Sequence, residues 1–320
     1  MDANPNDHLR ICIAIPTYAR ANQLDRLLTA LADILMPDHC AIEAIVLDNA
    51  TVPKMFDLVD LHATKFPFLL RYRHVPSPGL AAVRNEALAF CATREFDFLA
   101  MIDDDEIPTR GWLQALVRMA RSTDADAVLG PVPSRLPVAA PTWLQKGRFF
   151  EPTRYRDGEE MRDGYSGNCL LRTITIERLR LRFDTAFNFA GGEDLVFFRD
   201  LLRGGGRLIY AEHAVADEVI EPDRCHAEYV VKLYFRRGNT LSLSDRRMGA
   251  GPLGFIVRLV KANARLVLGI VTFIPRSLRD GTTGTLQSVC DIALGLGALA
   301  GLAGFVYRPY RRASRSTSAS

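Results

Sequence analysis

The segment Ile102-Asp103-Asp104-Asp105-Glu106 is the most acidic run in the chain, and it directly follows the apolar run Phe98–Ile102. Neighbouring carboxylates repel one another unless a cation neutralises them. Mg²⁺ and Mn²⁺ prefer such oxygen ligands, and Mg²⁺ commonly binds one or two carboxylates together with substrate phosphates. The segment therefore predicts a divalent metal site that handles a diphosphate. The alternative is a solvated turn that caps the helix starting near Trp112.

A second group of residues that could take part in catalysis is Gly191-Gly192-Glu193-Asp194. Glycines let the backbone approach a ligand closely, and carboxylates at the start of a helix are favoured by its dipole. One of the two acids could act as general base towards a hydroxyl group. A simple helix N-terminus would explain Asp194, but neither the two glycines nor the paired acids.

Three further residues are candidate ligands for a nucleotide. Asp48 ends an apolar run and could accept hydrogen bonds from a ribose or a base, although Asp-Asn-Ala-Thr is also a good turn sequence. Arg84 falls in the first turns of a predicted helix, where it could contact phosphate or base or simply be solvated. Arg236 could stabilise a departing diphosphate, or it could belong to a basic helix end before Gly238.

Alternating apolar runs and helical patterns must position these groups. The predicted strands are Ile11–Ile15, Ala44–Leu47, Leu69–His74 and Phe96–Ile102, with helices near 22–35 and 81–93 between them. Continuous apolar strands that alternate with helices predict an α/β fold with a mostly parallel sheet and helices on both faces. Ligands bind at the carboxyl ends of such strands, where Thr17, Asp48 and the acidic segment fall.

Composition fits a globular protein, with 48% hydrophobic and 24% charged residues. The six scattered cysteines predict reduced thiols and neither a disulfide framework nor a cysteine metal site. Residues 1–8 lack the apolar run of a signal peptide. We therefore expect catalysis at the cytoplasmic face of the inner membrane.

The C-terminal part differs from the rest in charge and in apolar pattern. Residues 251–320 hold nine Lys/Arg and two Asp/Glu, whereas residues 1–250 are slightly acidic. Their cations alternate with apolar residues, which favours an anionic membrane surface over nucleic acid as partner. Residues 292–307 are uncharged but shorter than the roughly 20 residues of a spanning helix. The predicted organisation is a flexible N-terminus (1–9), a catalytic domain (10–248), membrane-associating helices (249–310) and a disordered basic tail (311–320).

Several motifs occur in a characteristic order across residues 10–245. They are Ile15-Pro16-Thr17-Tyr18, Leu47 to Thr51, Gly79 to Asn85, Phe98 to Glu106, Gly167-Asn168 before Leu170-Leu171-Arg172, Phe183-Asp184 to Asp194, and Arg236 to Thr240. Together they resemble inverting glycosyltransferase family 2, especially bacterial exopolysaccharide glycosyltransferases of the succinoglycan type. The resemblance implies the GT-A fold, a Rossmann-like mostly parallel sheet, and transfer of a sugar from a nucleotide-sugar donor.

The resemblance also implies donor-side roles. The residues implied to bind a UDP-sugar are Thr17, Tyr18, Asp48, Arg84, Asp103, Asp104 and Arg236. Asp103 and Asp105 would form a DxD pair that binds Mg²⁺ or Mn²⁺, with Asp105 as the more direct ligand.

On the acceptor side, the resemblance implies that Asp194 is the base that deprotonates the acceptor hydroxyl, with Glu193 beside it. Trp143, Gly167, Asn168 and Gly192 would lie near the acceptor, a glycan or lipid-linked oligosaccharide. The QxxRW signature of processive synthases is absent from the sequence, so we expect transfer of a single sugar.

Other functions fit the sequence less well. A sugar nucleotidyltransferase would need a glycine-rich loop where Pro16-Thr17-Tyr18-Ala19-Arg20 stands, and a dinucleotide-dependent oxidoreductase would need GxGxxG there. A non-catalytic, membrane-associated glycan-binding scaffold would not need Asp103, Asp105 and Asp194 together, so their presence favours an enzyme.

Overall fold

The computed structural model describes residues 8–308. The predicted basic tail, and all but the end of the predicted flexible N-terminus, lie outside these residues. The strands are β1 (Leu9–Thr17), β2 (Cys40–Asp48), β3 (Leu69–His74), β4 (Phe98–Ile102), β5 (Glu106–Pro108), β6 (Ala127–Leu129), β7 (Ser134–Arg135), β8 (Asn168–Arg172), β9 (Leu208–Tyr210) and β10 (Ala216–Val219). The helices are α1 (Ala21–Leu31), α2 (Phe56–Ala63), α3 (Leu80–Ala92), α4 (Trp112–Thr123), α5 (Thr142–Gly147), α6 (Thr173–Arg178), α7 (Glu193–Arg203), α8 (Ala227–Arg247), α9 (Gly251–Asp280) and α10 (Thr282–Leu302).

The chain forms two compact units. The first unit comprises Met1–Ser134, Pro152–Asn188 and Glu193–Val219. The second comprises Arg135–Glu151, Phe189–Gly192 and Ile220–Ser320. The second unit thus includes α8 together with the two C-terminal helices. The end of the catalytic domain at residue 248 stays a prediction.

The first unit is built on a seven-stranded sheet with the order β3-β2-β1-β4-β8-β6-β9. The pairs β1–β2, β2–β3, β1–β4 and β6–β9 are parallel, and β8 runs antiparallel to both of its neighbours. A smaller sheet has the order β5-β10-β7. The predicted mostly parallel α/β sheet is therefore confirmed. Because the strand order reverses between β1 and β4, their carboxyl ends flank the crevice where ligands bind in such sheets.

Both faces of the sheet are covered, which explains the continuous apolar strands. Ile11 and Ile13 of β1 face one layer, which includes buried residues of α1 and α4. Cys12 and Ala14 face the other layer, which includes buried residues of α3 and α7. Successive side chains of a strand point to opposite faces, so every position of β1 inside the sheet must be apolar.

In the second unit, α10 packs closely against α8. A Cβ atom at Gly297 would meet the backbone of Phe235, and one at Gly238 would meet the backbone of Leu294. The small residues thus let the two backbones approach each other. By length and composition, α10 is the one helix among residues 8–308 that could cross a membrane, but 44% of its apolar window is buried within the protein.

Candidate active site

The carboxyl ends of β1 and β4 bring Thr17 and the acidic segment together. Thr17 is 3% exposed, and its hydroxyl donates to Asp104 Oδ2 at 2.8 Å. Arg20 Nη1 lies 2.9 Å from Asp104 Oδ1 and 3.1 Å from Asp105 Oδ2. Burial raises the pKa of Asp104 to about 6, and the Arg20 guanidinium opposes this rise. Asp104 thus links the acidic loop to β1 through Thr17, and Arg20 neutralises the carboxylates of the loop from the more exposed side.

Arg84 of α3 joins the acidic segment to the start of α7. Its guanidinium donates to Asp103 Oδ1 at 3.3 Å and to Glu193 Oε1, and its side chain is only 5% exposed. Burial disfavours the charge on Arg84, but the carboxylates of Asp103, Glu193 and Asp194 raise its pKa overall. Arg84 therefore remains a buried cation among carboxylates. A direct contact of Arg84 with a nucleotide stays a prediction that requires these ion pairs to open.

Glu193 and Asp194 occupy the first turn of α7 as predicted. Glu193 is 2% exposed and its Oε2 is buried without a hydrogen-bond partner among the described residues. Asp194 is only half-buried, and its Oδ1 accepts from the backbone N–H of Leu195 at 2.7 Å. Burial raises the pKa of both carboxyls, whereas Arg84 lowers it. The more accessible Asp194 is therefore the better candidate for a base that meets a substrate.

Glu106 is a member of this site whose position the sequence did not distinguish. Its side chain is 4% exposed, and its Oε2 accepts from the backbone N–H of Asp103 at 3.3 Å. A Cβ atom at Gly167 would collide with the Glu106 carboxyl and would lie 3.2 Å from Asp103 Oδ2. Burial, together with the charges of Asp103 and Asp105, raises the pKa of Glu106. Gly167 thus makes room for two carboxyl groups, and its predicted contact with the acceptor stays a prediction.

Asn168 lies at the start of β8, and both polar atoms of its side chain form hydrogen bonds within the protein. Its Nδ2 donates to the carbonyls of Pro131 and Ala214 at 3.0 and 2.7 Å. Its Oδ1 accepts from Trp112 Nε1 at 2.7 Å. Asn168 is 0% exposed, so it holds loops around the strand end, and an acceptor could reach its amide only after rearrangement.

Asp48 is likewise 0% exposed at the end of β2. It accepts from the backbone N–H groups of Ala50, Lys54 and Met55 at 3.0, 2.8 and 3.1 Å, and from the Tyr72 hydroxyl at 3.0 Å. These bonds shape the loop after β2. Its predicted contact with the nucleoside would require this loop to open, whereas Tyr18, after β1, is 44% exposed and accessible.

Three predicted site residues belong to the second unit. Trp143 of α5 packs edge-to-face with Phe149, their ring centroids 5.7 Å apart. Arg236 is half-buried within α8 and does not cap its end, because the helix continues to Arg247. Gly192 has a φ of 97°, which strongly favours glycine, and a Cβ there would collide with Thr240. The two glycines before α7 are therefore required by the backbone.

The carboxylates of the acidic segment suit a metal that arrives with its substrate. Within residues 8–308, no three His, Cys, Asp or Glu side chains converge as a ready metal cage. Asp103 and Asp105 offer hard oxygen ligands, but they are paired with Arg84 and Arg20. Mg²⁺ needs only one or two carboxylates when phosphates complete its coordination. The donor set therefore fits a Mg²⁺ or Mn²⁺ ion bound together with a diphosphate.

Comparisons with known proteins identify the family of this chain. The sequence model of glycosyl transferase family 2 matches residues 12–180. The succinoglycan biosynthesis protein ExoM of Rhizobium meliloti is 34% identical over 236 residues, which is 74% of this chain and 75% of the relative. A second relative, the pre-mycofactocin glycosyltransferase of Mycobacterium tuberculosis, is 33% identical over 34% of this chain and 21% of its own length.

Solved structures show the same fold. The mannosyltransferase PcManGT of Pyrobaculum calidifontis, in complex with GDP-Man and Mn²⁺, superposes with a TM-score of 0.64 at 16% identity and covers 91% of this chain and 86% of its own. Residues 1–349 of S. aureus TarS, in complex with UDP-GlcNAc, give a TM-score of 0.53 at 14% identity over 94% and 93%. These structural neighbours establish the GT-A-like arrangement of the sheet. Since the family match spans more than half of the chain and ExoM aligns along three quarters of both proteins, this chain belongs to glycosyl transferase family 2 and is a glycosyltransferase.

Proposed function

We propose that this enzyme moves one sugar, with inversion, from a UDP-sugar to a hydroxyl of a glycan or lipid-linked oligosaccharide during exopolysaccharide synthesis. The name of the ExoM relative supports the pathway class, and the UDP-GlcNAc bound to TarS supports a nucleotide-sugar donor. We further propose that it works at the cytoplasmic face of the membrane. Membership of the family sets aside the nucleotidyltransferase and oxidoreductase alternatives.

One observation carries the proposal. Arg84, buried in the first unit, contacts both Asp103 of the acidic segment and Glu193 beside Asp194. A cation between them lets a donor-side carboxylate and an acceptor-side base lie near each other without strong repulsion. Such a pair of acidic groups is what in-line displacement at a sugar carbon requires: one group serves the leaving diphosphate and the other the attacking hydroxyl.

On the donor side, Asp103 and Asp105 would hold the divalent metal together with the diphosphate. A bound Mg²⁺ or Mn²⁺ would act as a Lewis acid that stabilises negative charge on the leaving diphosphate. On donor binding, Arg20 would shift from Asp105 towards the phosphate oxygens. Thr17 holds Asp104 by a hydrogen bond, which leaves Asp103 and Asp105 as the aspartates that would bind the metal.

On the acceptor side, the Asp194 carboxylate would take the proton of the attacking hydroxyl, through Oδ2, since Oδ1 accepts from the Leu195 N–H. The acceptor oxygen forms a bond with the anomeric carbon as the bond from that carbon to the phosphate oxygen breaks. The proton ends on Asp194 and the negative charge on the diphosphate. Because attack and departure are on opposite sides of the carbon, the configuration inverts. The pKa of Asp194, raised by burial, makes it a stronger base than an exposed aspartate.

The test is binding and hydrolysis of a panel of UDP- and GDP-sugars, measured by calorimetry and by release of the nucleotide, with Mn²⁺ and with a chelator. We expect one UDP-sugar to bind in a metal-dependent manner and to be hydrolysed slowly. Metal-independent binding would contradict the assignment of Asp103 and Asp105. Absence of binding for every nucleotide would contradict the donor site and would favour the glycan-binding scaffold.

A further inference from the structure

The polar contacts of α9 point towards the protein. Arg258 Nε lies 2.6 Å from Asp245 of α8. Arg265 and Arg276 lie 3.0 and 2.7 Å from the two carboxylate oxygens of Asp291 in α10. Three of the cations that interrupt the apolar sequence of α9 thus form ion pairs with carboxylates of α8 and α10 in the second unit.

Few apolar residues of α9 help to cover the second unit. Its buried residues are Ala262 and Gly269, both small, and Gly269 lies against the backbone of α10. Thr272 adds a hydroxyl contact with Ser288 at 3.2 Å. A helix on the surface of a water-soluble protein normally has its apolar stripe inward and its polar face outward. The pattern of α9 is the reverse.

The apolar side chains of α9 face away from the protein. Six of them are more than three-fifths exposed: Leu253, Val260, Ile270, Val271, Ile274 and Leu278. At 3.6 residues per turn, these six lie within about 100° of one another around the helix axis and along about 38 Å of its length. Contiguous exposed apolar surface of this kind marks an interaction site.

The charge of this region identifies the partner. Residues 251–320 carry nine Lys/Arg and two Asp/Glu, so the region stays basic even with Arg258 paired to Asp245, and a second copy of it would be repelled. An anionic lipid surface neutralises such a region instead. A true span is also disfavoured, because the uncharged stretch 266–275 has ten residues, half of the roughly 20 that a bilayer core requires.

We infer that α9 is the membrane-docking element of this protein and that it lies in the plane of an anionic bilayer surface. The stripe of six exposed side chains enters the boundary between headgroups and acyl chains. Lys261 on the flank of α9 reaches the phosphates together with Arg279, whose guanidinium also pairs with Asp280 at 2.8 Å. In this arrangement α10, whose uncharged stretch is shorter than a bilayer span, packs between α8 and α9. Membrane docking by α9 is independent of the proposed transfer reaction.

The experiment is co-flotation of the full chain with vesicles of phosphatidylcholine and phosphatidylglycerol at a three-to-one ratio. The double variant Val271→Ser/Ile274→Ser removes two stripe residues that are each 68% exposed. Its matched control, Leu61→Ser/Ile174→Ser, changes two residues that are 66% and 68% exposed in α2 and α6 of the first unit. Circular dichroism and UDP binding confirm that each variant is folded.

We expect the stripe variant to partition at least tenfold more weakly than the wild type, while the control partitions like the wild type. Lys261→Gln/Arg279→Gln should remove the preference for vesicles with phosphatidylglycerol, and added salt should have the same effect on the wild type. Equal binding by the stripe variant and the control would overturn the inference. A vesicle-free dimer that the stripe variant dissociates, without vesicle binding by the wild type, would also overturn it and identify a second copy as the occupant.

Discussion

Replacing Arg84 with methionine removes the cation that separates three carboxyl groups. The side chains of Arg84 and Glu193 are 5% and 2% exposed, so water cannot take over the lost ion pair. Breaking one partner of a buried pair typically costs about 3–5 kcal/mol, because the other charge remains buried and unpaired. We expect Arg84→Met to lower the free energy of unfolding of the first unit by this amount.

The double variant Arg84→Met/Glu193→Leu separates the charge effect from packing. It removes both members of the pair and fills their space with apolar atoms, which is often nearly neutral for a buried pair. We therefore expect a large part of the cost of Arg84→Met, about 2–3 kcal/mol, to be recovered in the double variant. Turnover should stay low in both, since Asp103 has lost its partner.

Urea unfolding followed by tryptophan fluorescence measures these differences. The chain has two tryptophans, and a Trp143→Phe background leaves Trp112, which is fully buried in the first unit, as the reporter of that unit. The control is Arg110→Met, which breaks an exposed pair with Asp33 (side chains 67% and 69% exposed) and should cost at most about 1 kcal/mol. A cost for Arg84→Met no larger than this control, or no recovery in the double variant, would refute the reasoning.

The ion pair of Arg20, the space at Gly167 and the pKa of Asp194 can each be tested separately. Arg20→Gln should bind Mn²⁺ several-fold more tightly without nucleotide, because Arg20 pairs with Asp105; unchanged affinity in electron paramagnetic resonance titrations would contradict this competition. Gly167→Ala should destabilise the protein by about 1–3 kcal/mol in denaturant unfolding, since its Cβ would collide with the buried Glu106 carboxyl; a neutral effect would show that the carboxyl can move away. The transfer rate should fall as pH drops, because Asp194 must be deprotonated, and its raised pKa places the midpoint above the ordinary aspartate value of about 3.9; a midpoint at or below that value would contradict the raised pKa of Asp194.

Local pattern was enough to predict the frame of the site. Apolar runs separated by helical periods indicated β1 to β4, and the acidic segment was correctly expected at the end of β4. The start of α7 at Glu193 agrees with the glycine–carboxylate pattern. Apolar periodicity and helix-start patterns depend on residues close in sequence, so tertiary contacts do not alter them.

Contacts between distant segments could not be predicted. Arg84 and Glu193 are 109 positions apart, and their pairing depends on how α3 and α7 pack on the same face of the sheet. The antiparallel direction of β8 depends on the path of the loops before it. The end of α1 at Leu31 also differs from the predicted Leu35, because the Leu35 N–H bonds to the carbonyl of Arg110 at 2.7 Å.

Burial was the other quantity that sequence could not supply. The position of Asp48 at the end of a strand suggests an accessible ligand, yet four hydrogen-bond donors surround its carboxylate. The sequence assigned the whole range 249–310 to membrane-associating helices, but in the structure α8 and α9 flank α10, and α9 carries the exposed apolar face. Which of two apolar helices is covered depends on how the unit packs, and the hydropathy of a sequence carries no information about packing.

The most direct test of the central claim is Asp194→Asn, studied by UDP affinity and by transfer to an acceptor. If Asp194 is the base and Asp103 and Asp105 serve the donor, the variant should keep its Mn²⁺-dependent UDP affinity to within about twofold. Its transfer rate should fall by about 10²–10⁴-fold, the usual contribution of a general base. A variant that transfers sugar at the wild-type rate, or that loses UDP binding together with transfer, would contradict the account.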